Sequence, residues 1–220
     1  MPTPDLTRRL LAEFVGTALL LAGVIGSGIM AERLTDDVGV QLLANAGATV
    51  GVLYAIIVMF APVSGAHFNP AVTLADALLG GRPWSVVGPY VVAQVAGGAL
   101  GVIIANLMFE LDAIELSDKT RDGGGQYLGE VVATFGLVAL IFCLVRSGRG
   151  HLAAGAVAAY IGGAYWFTSS TSFANPAVSV TRTLSDTFAG IDPASAPMFV
   201  AMQLIGALLA VGFVRVVYPD

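Results

Sequence analysis

Apolar residues run along this chain in long blocks with no alternating polar face. Six blocks, at about 10–31, 40–61, 84–109, 127–145, 152–169 and 197–214, stay almost wholly apolar for the roughly 20 residues a helix needs to cross a bilayer. Two further apolar stretches, 62–79 and 170–185, are too short to cross and are broken by Ser, Gly and Pro. Each holds the triplet Asn-Pro-Ala, in "HFNPAVTLA" (67–75) and "SFANPAVSV" (172–180). An Asn cap followed by proline at the first helical position is a helix-start signal. Each stretch therefore reads as a loop that enters the membrane and turns into a half-helix. Irregular backbone at membrane depth is tolerated only against protein or a watery cavity, so two such loops imply a cavity.

Composition agrees. Of the 220 residues, 56% are hydrophobic and 11% charged, against about 25% charged in a soluble domain, and mean hydropathy is +0.83. There is no Lys/Arg cluster for nucleic acid, and the net charge of −5 lies mostly in connecting segments. The single Cys143 excludes an intramolecular disulfide framework. Arg8 and Arg9 precede the first block as in a signal peptide, but that block is too long, contains Glu13 and lacks a cleavage site, so it reads as a permanent span. With the N-terminus inside, the inner loops carry Arg8, Arg9, Arg82, Arg146, Arg149 and Arg215, and the outer loops Arg33, Lys119, Arg121 and Arg182. That bias favours cytoplasmic N- and C-termini.

The chain also repeats itself. Glu13 in "LLAEFVGT" answers Glu130 in "YLGEVVAT"; "NPAVTLADAL" (69–78) answers "NPAVSVTRTL" (175–184); Gln94 and Gly97 answer Gln203 and Gly206. The separations are 117, 106 and 109 residues, so only loop lengths drift. A half with three spans is odd-numbered, so its copy inserts upside down, and broken helices of inverted repeats meet at the midplane. The expected architecture is an all-α integral membrane protein with six transmembrane helices and two re-entrant half-helices. It forms one channel domain over 1–220, with a first inverted repeat at 1–110, an extracellular connecting loop at 111–125 and a second repeat at 126–220.

Paired NPA triplets in inverted repeats are specific, and "SGAHFNPAVT" (64–73) is close to a known signature. On these motifs the chain resembles the major intrinsic protein family, the aquaporins and aquaglyceroporins, along essentially its whole length. The resemblance implies a passive channel for small neutral solutes in the lipid bilayer, with no catalytic residues, cofactor, metal or nucleic-acid partner, and a homotetrameric assembly. Asn69, Pro70 and Ala71 with Asn175, Pro176 and Ala177 form its two pore motifs; each Asn caps its half-helix and offers an amide donor to the lumen. The paired positive helix ends exclude cations and break a proton wire, as is established for aquaporin-type pores.

The family's selectivity ring lies 20 residues before the first NPA Asn, and 12 before, 3 before and 3 after the second. Carried over by spacing, it falls on Thr49, Gly163, Ser172 and Val178. The family has arginine at the last of these, and this chain has valine. The four are small, which predicts a wide ring with two hydroxyls and no fixed charge. The ring and the segment "VTRTLSDTFAGI" (180–191) resemble bacterial members linked to arsenic resistance. That implies trivalent metalloid hydroxides such as arsenous acid, polyols and water as solutes, and the cell (inner) membrane as location. A general glycerol or urea facilitator is the alternative within the class. An ion-coupled transporter would need an ion site at the midplane, whereas Glu13 and Glu130 match the family carboxylates that hold the loops.

His67 reads as a loop brace; the second loop has Phe173 in its place. Arg182, seven residues past Asn175, projects on nearly the same helical face. It either lines the outer vestibule, or complements the half-helix dipole or pairs with Asp186 or Asp192. Asp76, its symmetry mate, sits unfavourably at a helix C-terminus and needs a partner that the sequence does not identify. Gly97 and Gly101 form a small-xxx-small pair for a close helix crossing.

Overall fold

A computed structural model describes residues 4–219, so the outermost positions of the 1–110 and 126–220 halves fall outside the described residues. The described chain forms eight α-helices in chain order: α1 (Leu6–Leu34), α2 (Val38–Ser64), α3 (Pro70–Leu78), α4 (Val87–Met108), α5 (Gly124–Arg146), α6 (Ala153–Phe167), α7 (Pro176–Thr181) and α8 (Ala196–Val217). The first four and the last four repeat one plan of two long helices, one half-helix and one closing helix. Five of the six long helices have 22 residues or more.

The sixth, α6, has only 15 residues. A 3-10 turn at Gly150–Leu152 precedes it, and together they rise about 28 Å, close to the hydrocarbon thickness. The fifth block, at 152–169, thus forms a short helix with a tightened first turn. The second block runs beyond its expected end at 61. Pro62 lies in the last turn of α2, and Gly65, at φ 89°, closes that helix in the left-handed region.

The core is built from the repeat. α1 packs along α4 and α2, α5 along α8 and α6, and α2 meets α6 across the halves. α1 and α5 are the most interior of the long helices. Their crossings with the closing helices depend on glycine. A Cβ on Gly97 would lie 2.1 Å from the Phe14 carbonyl oxygen, one on Gly101 2.2 Å from that of Ala18, and one on Gly206 2.5 Å from that of Val131. The small-xxx-small pair of α4 therefore sets the α1–α4 distance, and Gly206 does the same between α5 and α8. Large apolar side chains such as Leu11, Leu43, Val92, Leu128 and Leu209 point outward, as a lipid-facing surface requires.

A cavity between two half-helices

The half-helices start where the sequence predicts. Asn69 and Asn175 have extended backbones at φ −154° and −158°, and Pro70 and Pro176 occupy the first helical positions. Asn69 Oδ1 accepts from Ala71 N at 2.9 Å, and Asn175 Oδ1 from Ala177 N at 3.0 Å. Each amide nitrogen also reaches across. Asn69 Nδ2 donates to the Ala174 carbonyl, and Asn175 Nδ2 to the Phe68 carbonyl, both at 2.7 Å. The sequence expectation had each Asn cap its half-helix and offer an amide donor to the lumen; it did not include this reciprocal pair. One N–H of each amide is spent on locking the opposite loop, and one remains.

The loops leading to these caps are left-handed at equivalent places. Ala66 and Ser172 lie three residues before the Asn, Phe68 and Ala174 one before, and all four have φ near +50°. Such backbone costs about 1 kcal/mol or more per non-Gly residue and must be held by its surroundings. Glu13 and Glu130 hold it. Glu13 accepts from Ser64 Oγ at 2.6 Å, His67 N at 3.0 Å and Phe68 N at 2.7 Å. Glu130 accepts from Phe173 N and Ala174 N, each at 2.9 Å. Gln94 and Gln203 extend each network, donating to the carboxylate and to Thr73 or Ser179 one turn into the half-helix. Both carboxylates are fully buried with their bonding capacity taken up by loop and amide donors. Sequence reasoning found the two Glu but not their Gln partners, although the Gln94–Gln203 repeat was the signal.

A cavity of about 340 Å³ runs between the halves, from Arg82 and Gly150 at one end, past Asn69 and Asn175, to Tyr165 and Arg182 at the other. Thr49, Ser172 and Val178 line it, each at most 5% exposed to the surface of the molecule. Gly163 does not. It lies on the exposed face of α6, whereas Val157, Ile161 and Tyr165, spaced four apart, form the stripe facing the cavity. The residue level with Thr49 is Tyr165, whose hydroxyl lies 3.1 Å from Thr49 Oγ1. Of the four residues expected for the ring, Thr49, Ser172 and Val178 line this cavity, with Tyr165 beside Thr49.

Arg182 is buried, borders the cavity and donates from Nε to the Ala189 carbonyl. It forms no ion pair with Asp186 or Asp192 among the described residues. Asp186 accepts instead from Ser117 and Asp118 N, and Asp192 from Ala194 N. At the far end Asp76 has its partner: Arg82 Nη1 lies 2.9 Å from Asp76 Oδ2 and 2.9 Å from His67 Nε2, and Arg82 Nη2 reaches the Ser64 carbonyl. His67 Nδ1 is 3.0 Å from Thr73 Oγ1. His67 thus ties its loop to α3 and to Arg82. The C-terminal carbonyls of α3 also receive cations, Leu78 from Arg215 at 2.6 Å and Leu79 from Arg146 at 3.4 Å, which opposes the negative helix end.

Comparison with known proteins places this geometry. The family model described as major intrinsic protein matches residues 1–169. The chain is 49% identical to aquaglyceroporin AqpS of Rhizobium meliloti over 211 residues, covering 96% of this chain and 90% of the relative. It is 32% identical to a glycerol uptake facilitator protein of Streptococcus pneumoniae over 70% of this chain and 73% of that one. Its fold matches the X-ray structure of the aquaglyceroporin from Plasmodium falciparum with a TM-score of 0.74 over 98% of both chains, at 18% identity.

Proposed function

Because the chain belongs to the major intrinsic protein family, we propose that its cavity is a pore whose uncharged ring passes trihydroxylated neutral solutes, polyols and trivalent metalloid hydroxides such as arsenous acid, along with water. The coarser function is established: this is a multi-pass membrane protein and an aquaglyceroporin channel for small solutes such as glycerol and water, a passive conduit and not an enzyme.

One observation carries the finer reading. Where the family has arginine, three residues past the second Asn, Val178 lines the same cavity as the paired hydroxyls of Thr49 and Tyr165. An apolar wall together with two hydroxyls suits a solute with a hydroxylated and a less polar side. It carries no charge that would demand an anionic partner. The amides of Asn69 and Asn175 then offer their remaining donors to a solute oxygen at the midplane. The 49% identity to an aquaglyceroporin supports the solute class. The identity to a glycerol uptake facilitator favours a second reading, a general glycerol and urea pathway.

The chain would stand in the cell (inner) membrane with both termini cytoplasmic, following the Lys/Arg bias of its loops. Like its family it would assemble as a homotetramer.

The test is stopped-flow light scattering on reconstituted vesicles under water, glycerol, urea and arsenous acid gradients. Native protein is expected to pass glycerol and arsenous acid. Val178→Arg should slow both about tenfold while water still passes, since a guanidinium would fill the ring and bind its hydroxyls. Equal arsenous acid and urea rates that ignore the substitution would select the second reading.

A further inference from the structure

The two ends of the cavity share a backbone plan but not a charge. Two residues before each Asn stand His67 and Phe173; seven after stand Asp76 and Arg182. At the first end Arg82 is neutralised by Asp76 at 2.9 Å. At the second end Arg182, the cation that lines the cavity, has no such carboxylate partner among the described residues. The Arg182 guanidinium carbon lies 3.5 Å from the centroid of the Phe173 ring, and that of Arg121, arriving from the connecting loop, lies 5.0 Å from the same ring.

The partners of these groups are main-chain dipoles. Arg182 donates to the Ala189 carbonyl, and Arg121 to those of Gly190 at 2.8 Å and Phe188 at 3.3 Å. Lys119 Nζ also donates to the Phe188 carbonyl, at 2.7 Å. None of the three forms an ion pair among the described residues. The buried carboxylate of Glu130 is already engaged by Phe173 N, Ala174 N and Gln203. Arg182 and Arg121 thus stand at this end on main-chain carbonyls, with no ion-paired carboxylate among the described residues.

Arg182 is 3% exposed and lines the cavity. Its Nη atoms meet no hydrogen-bond acceptor among the described residues. It follows Val178 by four residues, so it sits on the same face of the half-helix about one turn, roughly 6 Å, farther out. Val178 has no charge with which to discriminate. The guanidinium above it does, and the Phe173 face fixes it there.

We propose that Arg182, seated on Phe173 and backed by Arg121, is the charge-selecting residue of this pore, repelling sodium and hydronium at the end that Val178 leaves uncharged. The proposal rests on reading the cavity as a pore. The competing role is a strap: Arg182 holds the 182–190 segment through the Ala189 carbonyl and does nothing to permeating ions.

The experiment uses vesicles holding the full chain, with glycerol flux by light scattering and proton and sodium leak by entrapped dyes at a clamped potential. Native protein should conduct glycerol with little leak. Arg182→Gln should raise the cation leak about tenfold, since a charge this close in a poorly screened site governs cation entry by at least that factor. Its glycerol flux should persist. Arg182→Lys should stay near native in leak, and Arg121→Gln should fall between. Arg182→Gln with glycerol flux retained and native leak would overturn the proposal. So would failure of both Arg182→Gln and Arg182→Met to insert while Arg182→Lys inserts, because that marks a structural cation. A native protein that passes no glycerol would remove the pore reading itself, and the proposal with it.

Discussion

At the scale of single residues, this chain invests its buried polarity in two equivalent knots. Glu13 with Gln94, and Glu130 with Gln203, each tie a left-handed loop to the start of a half-helix. The repeated Glu and the NPA triplets were legible because the sequence states them twice. The hydrogen-bonded cross-pair of Asn69 and Asn175 was not, since no spacing tells which carbonyl a distant loop presents. The Asp76–Arg82 pair was hidden by a turn: six residues along a helix would point them apart. Gly80, at φ 80°, and Gly81, whose Cβ would strike Asp76 Oδ1 at 2.1 Å, fold the chain back so that they meet. The knots carry a prediction. Glu130→Ala leaves the Phe173 and Ala174 amides and the Gln203 donor without their acceptor, and should cost about 3 kcal/mol or more. It should lower the thermal midpoint in detergent and abolish solute flux. Glu130→Gln, which keeps one acceptor oxygen but places a donor against those amides, should fall between.

At the scale of elements, long apolar blocks located every span, because a crossing helix needs only length and hydropathy. What they could not place is rotation. Gly163 and Tyr165 lie two residues apart on α6, and two residues is about 200° around a helix, so Gly163 falls on the exposed face and Tyr165 on the lumen face. The apolar run gives no polar side to tell the two apart. The four-residue stripe Val157–Ile161–Tyr165 was present in the sequence, but it identifies the lumen only once one of its members is known to face it. Closeness between elements was better written. Gly97, Gly101 and Gly206 allow α4 and α8 to touch the backbones of α1 and α5. Gly97→Leu should therefore push α4 from α1 and destabilise the protein by about 1–3 kcal/mol, read as a lower unfolding midpoint. Gly47→Ala, on α2 with nothing within 4 Å of its added Cβ, should leave the midpoint unchanged or raise it slightly.

At the scale of the whole molecule, the two halves meet where their half-helices begin, and the charges that differ between them, Asp76 and Arg182, lie seven residues past that meeting point. The shared part is the cradle: caps, left-handed loops and carboxylate knots. The unshared part is the lining, with Asp76 and Arg82 paired at one end and Arg182 and Arg121 on main-chain carbonyls at the other. Inverted duplication thus supplies a symmetric conduit, and later side chains give it direction-dependent chemistry. The two buried carboxylates, Glu13 and Glu130, are engaged in holding the loops. Flux should therefore follow the solute gradient alone. The most direct measurement is initial glycerol and arsenous acid influx into reconstituted vesicles as a function of external concentration, with and without ionophores that collapse proton and sodium gradients. A passive pore predicts influx that rises linearly with concentration and ignores the ionophores. Saturable influx that the ionophores abolish would contradict it and mark the same fold as a coupled carrier.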